Sequence, residues 1–123
     1  MPDDLSPLLS WTFISETGIP KDVDKMLIDG EQAVAAYRTL RDVAIFTDKR
    51  IIVRDSQGLT GTKTEIYTLP YSSINMYSSE NAGIIDFNAE LELWTRAGHI
   101  TINLKKGVDI RKLDRLIATG LLK

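Results

Sequence analysis

Ala36–Gly61 reads AYRTLRDVAIFTDKRIIVRDSQGLTG, and two short runs inside it decide the fold class. Val43-Ala44-Ile45-Phe46-Thr47 and Arg50-Ile51-Ile52-Val53-Arg54 are apolar and β-branched. Such runs fit a pleated, half-buried surface. Only Asp48 and Lys49 separate them, so they are expected to pair as a hairpin. Asp-Lys is not the Asn-Gly that a two-residue turn favours, so a slightly longer turn is expected. Asp55, Ser56 and Gly58 then end the second strand, because glycine and short polar side chains favour turn backbone.

Outward from this hairpin, Glu31–Leu40 reads as a strand, although its alanines are weak strand formers. Pro20–Ile28 reads as a short helix, with Val23, Met26 and Leu27 on one face and Gly30 as its stop. Leu8, Leu9, Trp11, Phe13 and Ile14 form an apolar patch that Thr17-Gly18-Ile19-Pro20 ends. It is read as an N-terminal arm, packed either on its own domain or on a neighbouring subunit. On the other side, Thr62–Leu69 is strand-like and Pro70 marks an edge or bend. Ile74–Ser79 is a further strand with Ile74 and Met76 on one face, and Glu80–Asn88 is a loop with an apolar centre at Ile84-Ile85.

Leu91 and Leu93 alternate with Glu90, Glu92 and Trp94. After the turn at Ala97-Gly98, Ile100, Ile102 and Leu104 alternate with His99, Thr101 and Asn103. This pattern is a hairpin with one apolar and one solvated face. Asp109 is placed to cap a final helix, whose stripe is Ile110, Leu113, Leu116, Ile117 and Leu121. Gly120 would let its end fray. The expected fold is mainly β: a bent antiparallel sheet or partly open barrel of about seven strands, capped by a C-terminal amphipathic helix.

The chain has 123 residues, no cysteine, one histidine and a net charge of −2. One domain is the default for this length. Disulfides and cysteine-based metal sites are excluded, and a single histidine is a poor start for a metal site. Net charge gives no overall pull toward nucleic acid, and Glu65, Glu90 and Glu92 surround the stacking candidates Tyr67 and Trp94. Nucleic-acid binding is therefore not expected. The Glu90/Glu92 pair has the residue type of a hydrolytic dyad, but a solvated strand face explains it better. No triad or phosphate-loop spacing is present. No enzyme activity and no cofactor are expected. The acidic start, Met1-Pro2-Asp3-Asp4, lacks a basic leader region, so a cytoplasmic location is expected.

Several short motifs together resemble bacterial pleckstrin-homology-like domains. They are Phe46-Thr47-Asp48-Lys49-Arg50, Asp55, Gln57-Gly58-Leu59-Thr60-Gly61, Pro70-Tyr71, Gly83, Asp86 and Ala89-Glu90-Leu91. The similarity spans roughly Gly30–Leu122. It implies the strand-plus-helix fold just described, with residues 1–29 as arm and short helix and 30–123 as the domain, in one compact unit. It also implies self-association into ring-like homo-oligomers; a protein or peptide partner is a further expectation. Eukaryotic relatives of this fold often bind phosphoinositides through basic residues near their first strand turn. Here that turn offers Arg38 and Arg41 beside Asp42.

Two surfaces follow as expectations. Trp11, Phe13 and Ile14 are candidates for a subunit contact. Lys105, Lys106, Arg111, Lys112 and Arg115 are candidates for an anionic partner, including membrane lipid as a weaker alternative. Residues 1–32 are acidic and residues 105–123 basic, so the two ends could complement each other between copies.

Overall fold

The computed structural model describes residues 9–57, 63–80 and 89–122. The expected loop after Glu80, with Gly83, Ile84, Ile85 and Asp86, lies outside the described residues, as do Leu8, Gly58–Thr62 and Lys123. Eight strands form one sheet: β1 (Leu9–Thr17), β2 (Ala33–Thr39), β3 (Val43–Thr47), β4 (Arg50–Gln57), β5 (Lys63–Pro70), β6 (Ile74–Glu80), β7 (Ala89–Thr95) and β8 (His99–Leu104). Their spatial order is β5-β4-β3-β2-β1-β8-β7-β6. All pairings are antiparallel except that of β1 with β8. Among the described residues one α-helix, α1 (Ile110–Leu121), follows the sheet.

The central hairpin forms as expected. Its innermost pair is Phe46 opposite Ile51, so Thr47–Arg50 close the turn. The Thr47 hydroxyl accepts from the backbone N–H groups of Lys49 and Arg50, each at 3.0 Å. That side chain supplies what an Asn-Gly turn would otherwise provide. All of β3 is buried, because both faces of this part of the sheet are covered. Its inner face gives Ala44 and Phe46 to the main core. Its outer face gives Val43 and Ile45 to a second cluster with Val23, Ala36 and Ile52.

Residues 18–32 build that outer layer. The expected helix is a six-residue 3₁₀ helix, Lys21–Met26, with Pro20 and Leu27 extended on either side. So short a segment gains too little from propagation to wind further. Two arginines of β4 clasp it to the sheet. Arg54 binds Asp22 at 2.7 Å and Asp42 at 2.9 Å. Arg50 holds both carboxylate oxygens of Glu31, at 2.8 and 3.0 Å, and donates to the Met26 carbonyl at 2.7 Å.

The apolar patch expected as an arm is β1, and it sits in the middle of the sheet. Its partners are β2, antiparallel, and β8, parallel. Phe13 is fully buried, stacked on Tyr37 with centroids 5.2 Å apart and edge-on to Phe46 at 6.0 Å. The main core draws on all eight strands and α1, so the sheet curls around it as a partly open barrel. In β6 the expected shared face for Ile74 and Met76 fails. A register irregularity lies between them, leaving Ile74 buried and Met76 55% exposed. A single irregularity of this kind moves the next side chain to the other face.

Asp109 caps α1 by accepting from the N–H groups of Arg111 and Lys112. Leu113 and Ile117 are its buried residues. Gly120 does not mark a frayed end. A Cβ there would lie 2.2 Å from the Tyr71 ring. That ring is 2% exposed, and its hydroxyl donates to the Thr47 carbonyl at 2.8 Å, so it has nowhere to move. Gly120→Ala is therefore expected to destabilise by about 1–3 kcal/mol through overpacking. At an unpacked helix position the same change would stabilise by about 1 kcal/mol. The sign of the shift in a urea unfolding midpoint distinguishes the two.

Candidate functional site

The three residues expected to anchor a subunit contact are strand residues of β1. Phe13 has no exposed surface and Trp11 is 8% exposed, while Ile14 is half-buried beside the bulge. Phe13 is a core residue of its own chain.

The five basic residues lie in the turn before α1 and on α1 itself. Lys105 and Lys106 are exposed in the turn between β8 and α1, and Arg111 and Arg115 are exposed on the helix. Lys112 is paired with Glu16. Lys112 and Arg115 line a cavity of about 300 Å³ with Val34, Thr47, Asp48 and Leu116. The acidic N-terminal region thus meets basic groups within its own chain, through Glu16–Lys112, Asp22–Arg54 and Glu31–Arg50.

Glu90 and Glu92 share the outer face of β7. Glu92 pairs with His99 Nε2, and the His99 ring stacks on Trp94 with centroids 5.1 Å apart. Burial, then the charges of Glu92 and Glu80, hold the Glu90 carboxyl above the usual carboxylate range. Neither glutamate lines either cavity described for this chain. Among the described residues, no three histidine or carboxylate side chains converge as metal ligands, and no helix is long and apolar enough to cross a membrane.

A larger cavity, about 380 Å³, opens where β1 begins and β2 ends. Its walls are Trp11 and Tyr67, whose rings are tilted 56° with centroids 6.0 Å apart. Val53 and Leu40 add apolar surface, and Asp55 and Arg41 supply charge. No residue of α1 lines it.

The two ends of the sheet are also open. β5 and β6 are its edge strands, and no other described strand pairs with their outer sides. Ile66 of β5 is 49% exposed and Met76 of β6 is 55% exposed.

Known proteins are similar to this chain in sequence and in fold. Residues 5–121 fit the family described as Bacterial PH domain. The chain belongs to that family. It is 35% identical to the uncharacterised protein YjqA of Bacillus subtilis (strain 168), over 85% of this chain and 86% of YjqA. Among solved structures it is similar to a DUF1696 family protein with a pleckstrin-homology domain from Shewanella loihica PV-4. The two share 35% identity and a TM-score of 0.79, over 87% of this chain and 96% of the other. A pleckstrin-homology domain from Shewanella amazonensis SB2B shares 36% identity and a TM-score of 0.67, over 83% and 84% of the two chains.

The family match begins at residue 5 and so takes in β1 as well as the segment from Gly30 onward. Within this PH-domain framework the sequence alone pointed to neither the mouth cavity nor the open edges. Trp11, Asp55 and Tyr67 are far apart in the chain, and only the strand register brings them together. The one available signal was Asp55, a charged residue in phase with the inward-facing Ile51 and Val53.

Proposed function

We propose that this PH-like chain is a non-enzymatic assembly module whose copies join edge to edge. The observation that carries this reading is the pair of open edges, β5 and β6, each bearing a large exposed apolar side chain. An exposed edge offers a row of backbone donors and acceptors to another chain. Pairing β5 of one copy with β6 of the next is a heterologous contact, which closes into a ring when the rotation per step permits. The same edges suit an extended peptide added as a strand, the way a protein partner would dock. This contact replaces the arm anchored on Trp11, Phe13 and Ile14, and it does not depend on charge complementarity between the chain ends.

Absolute mass by light scattering tests it. The wild-type chain is expected to form one closed oligomer that persists in high salt. Ile66→Lys and Met76→Lys are each expected to leave monomers. An equimolar mixture of the two variants keeps one intact β5 edge and one intact β6 edge, and is expected to give dimers and nothing larger. A monomeric wild-type chain, or a mixture that stays monomeric, would overturn the reading.

Binding of anionic lipid headgroups is the alternative, favoured by the convergence of Lys112 and Arg115 on one cavity. The Glu16 partner of Lys112 and the nearby Asp48 oppose it. Salt-sensitive sedimentation with anionic liposomes, lost on charge reversal at Lys105, Lys106, Arg111, Lys112 and Arg115, would favour lipid over assembly.

A further inference from the structure

We infer that the cavity at the mouth of the barrel binds an organic cation, an alkylammonium or guanidinium group, between Trp11, Tyr67 and Asp55. This stands apart from the edge-to-edge contact. The walls have the right chemistry, because the faces of tryptophan and tyrosine rings attract cations. Trp11 and Tyr67 both line this cavity, and their rings are tilted by 56° rather than stacked.

Asp55 is the carboxylate among the cavity's lining residues, and Arg41 is the cation. Asp55 lies on the same inward-facing register as Ile51 and Val53, and its direct cross-strand partner is Glu65. Glu65 accepts a hydrogen bond from the Tyr67 hydroxyl at 3.0 Å, which fixes the ring at the cavity wall.

Asp55 Oδ1 is buried and has no hydrogen-bond partner. The nearest cation is Arg41, whose Nη1 is 3.7 Å away, too long for a hydrogen bond. The Arg41 side chain is 62% exposed. Arg41 is thus a loosely held internal cation at the mouth, and an incoming ammonium or guanidinium can displace it and hydrogen-bond to Oδ1. Such a group is carried by a lysine or arginine of a polypeptide or by a small organic amine.

Tryptophan fluorescence tests this in a Trp94→Phe background, which leaves Trp11 as the one tryptophan of the two in the chain. The probes are n-butylammonium, n-butylguanidinium, a capped Ala-Lys-Ala tripeptide, the same peptide with acetylated lysine, and inorganic phosphate. The cations are expected to change Trp11 emission saturably, and the acetylated peptide and phosphate are not. Asp55→Asn is expected to weaken binding about tenfold or more, since it removes a charge-assisted hydrogen bond from a partly buried site. Arg41→Gln is expected to tighten it about two- to fivefold, the range of an exposed ion pair. Arg38→Gln, which removes the same charge elsewhere on the surface, is expected to leave affinity unchanged. Tyr67→Phe should keep most of the affinity and Tyr67→Ala should lose it. A lysine tripeptide that binds much more tightly than n-butylammonium identifies a polypeptide source. Equal affinities identify a small amine. No saturable response to any cation, saturation by phosphate, or unchanged affinity in both Asp55→Asn and Arg41→Gln would overturn the inference.

Discussion

Phe13→Ala is expected to cost about 3–5 kcal/mol of folding stability, the range for removing a buried aromatic ring. That is a large share of the 5–15 kcal/mol that holds a typical domain together. The position explains the size of the effect. Phe13 has no exposed surface, and Tyr37 and Phe46, its aromatic neighbours, pack against each other with centroids 5.6 Å apart. Deleting one ring of the three removes contacts from both others. Nor can the site relax by pulling a polar group inward. The Tyr37 hydroxyl is already buried without a hydrogen-bond partner, and burial pushes its pKa well above the ordinary value, with the charges of Glu16 and Asp109 adding to the shift. Changing Trp11, Phe13 and Ile14 together to polar residues should therefore unfold the chain rather than release folded monomers. Urea midpoints combined with light scattering separate the outcomes. A Phe13→Ala chain with an unchanged midpoint but a lower mass would place Phe13 in a subunit contact after all.

The same strand shows where sequence reading stops. β3, β4, β7, β8 and α1 could be read because their signals are local. The hairpins pair neighbouring runs, the alternation at Leu91–Leu93 and Ile100–Leu104 has period two, and Asp109 announces the helix. β1 carries alternation too, with Trp11 and Phe13 inward, but it is short and a bulge interrupts it after Phe13. Its parallel partner β8 lies at the far end of the chain, and no local pattern announces such a pairing. Met76 and Gly120 were misread for a related reason. One depends on a register irregularity and the other on the approach of Tyr71, and both are facts about neighbours distant in sequence. The mouth cavity shares this character. Asp55 reads as a turn residue by its sequence neighbours, but β4 runs on to Gln57 and keeps it in phase with Ile51 and Val53.

The acid limb of the stability curve offers the second large effect, centred on Glu31. Its side chain has no exposed surface, yet it stays ionised, because every approach to its carboxylate is a donor. Arg50 binds both oxygens, the Thr47 hydroxyl donates at 2.7 Å and the Ile28 N–H at 3.1 Å. The Arg50 hydrogen bonds dominate, and against the opposing effect of burial they bring the Glu31 pKa down to about 2 from its ordinary 4.5. Because the folded state holds the carboxylate more tightly than the unfolded chain does, the resulting stabilisation is fully present above pH 4.5 and is lost as pH falls through 2. At 1.36 kcal/mol per pH unit this amounts to about 3 kcal/mol. Glu31→Gln keeps the shape but leaves Arg50 without its counter-charge, and breaking a buried pair in this way costs about 3–5 kcal/mol at neutral pH. The cost should shrink steadily below pH 4.5, since the wild-type carboxylate is then losing the same interaction. Urea midpoints of wild type and Glu31→Gln between pH 7 and pH 2 would converge. If the gap between them stays constant across that range, Glu31 is not the group that clasps residues 20–31 to β4, and the acid sensitivity of the fold lies elsewhere.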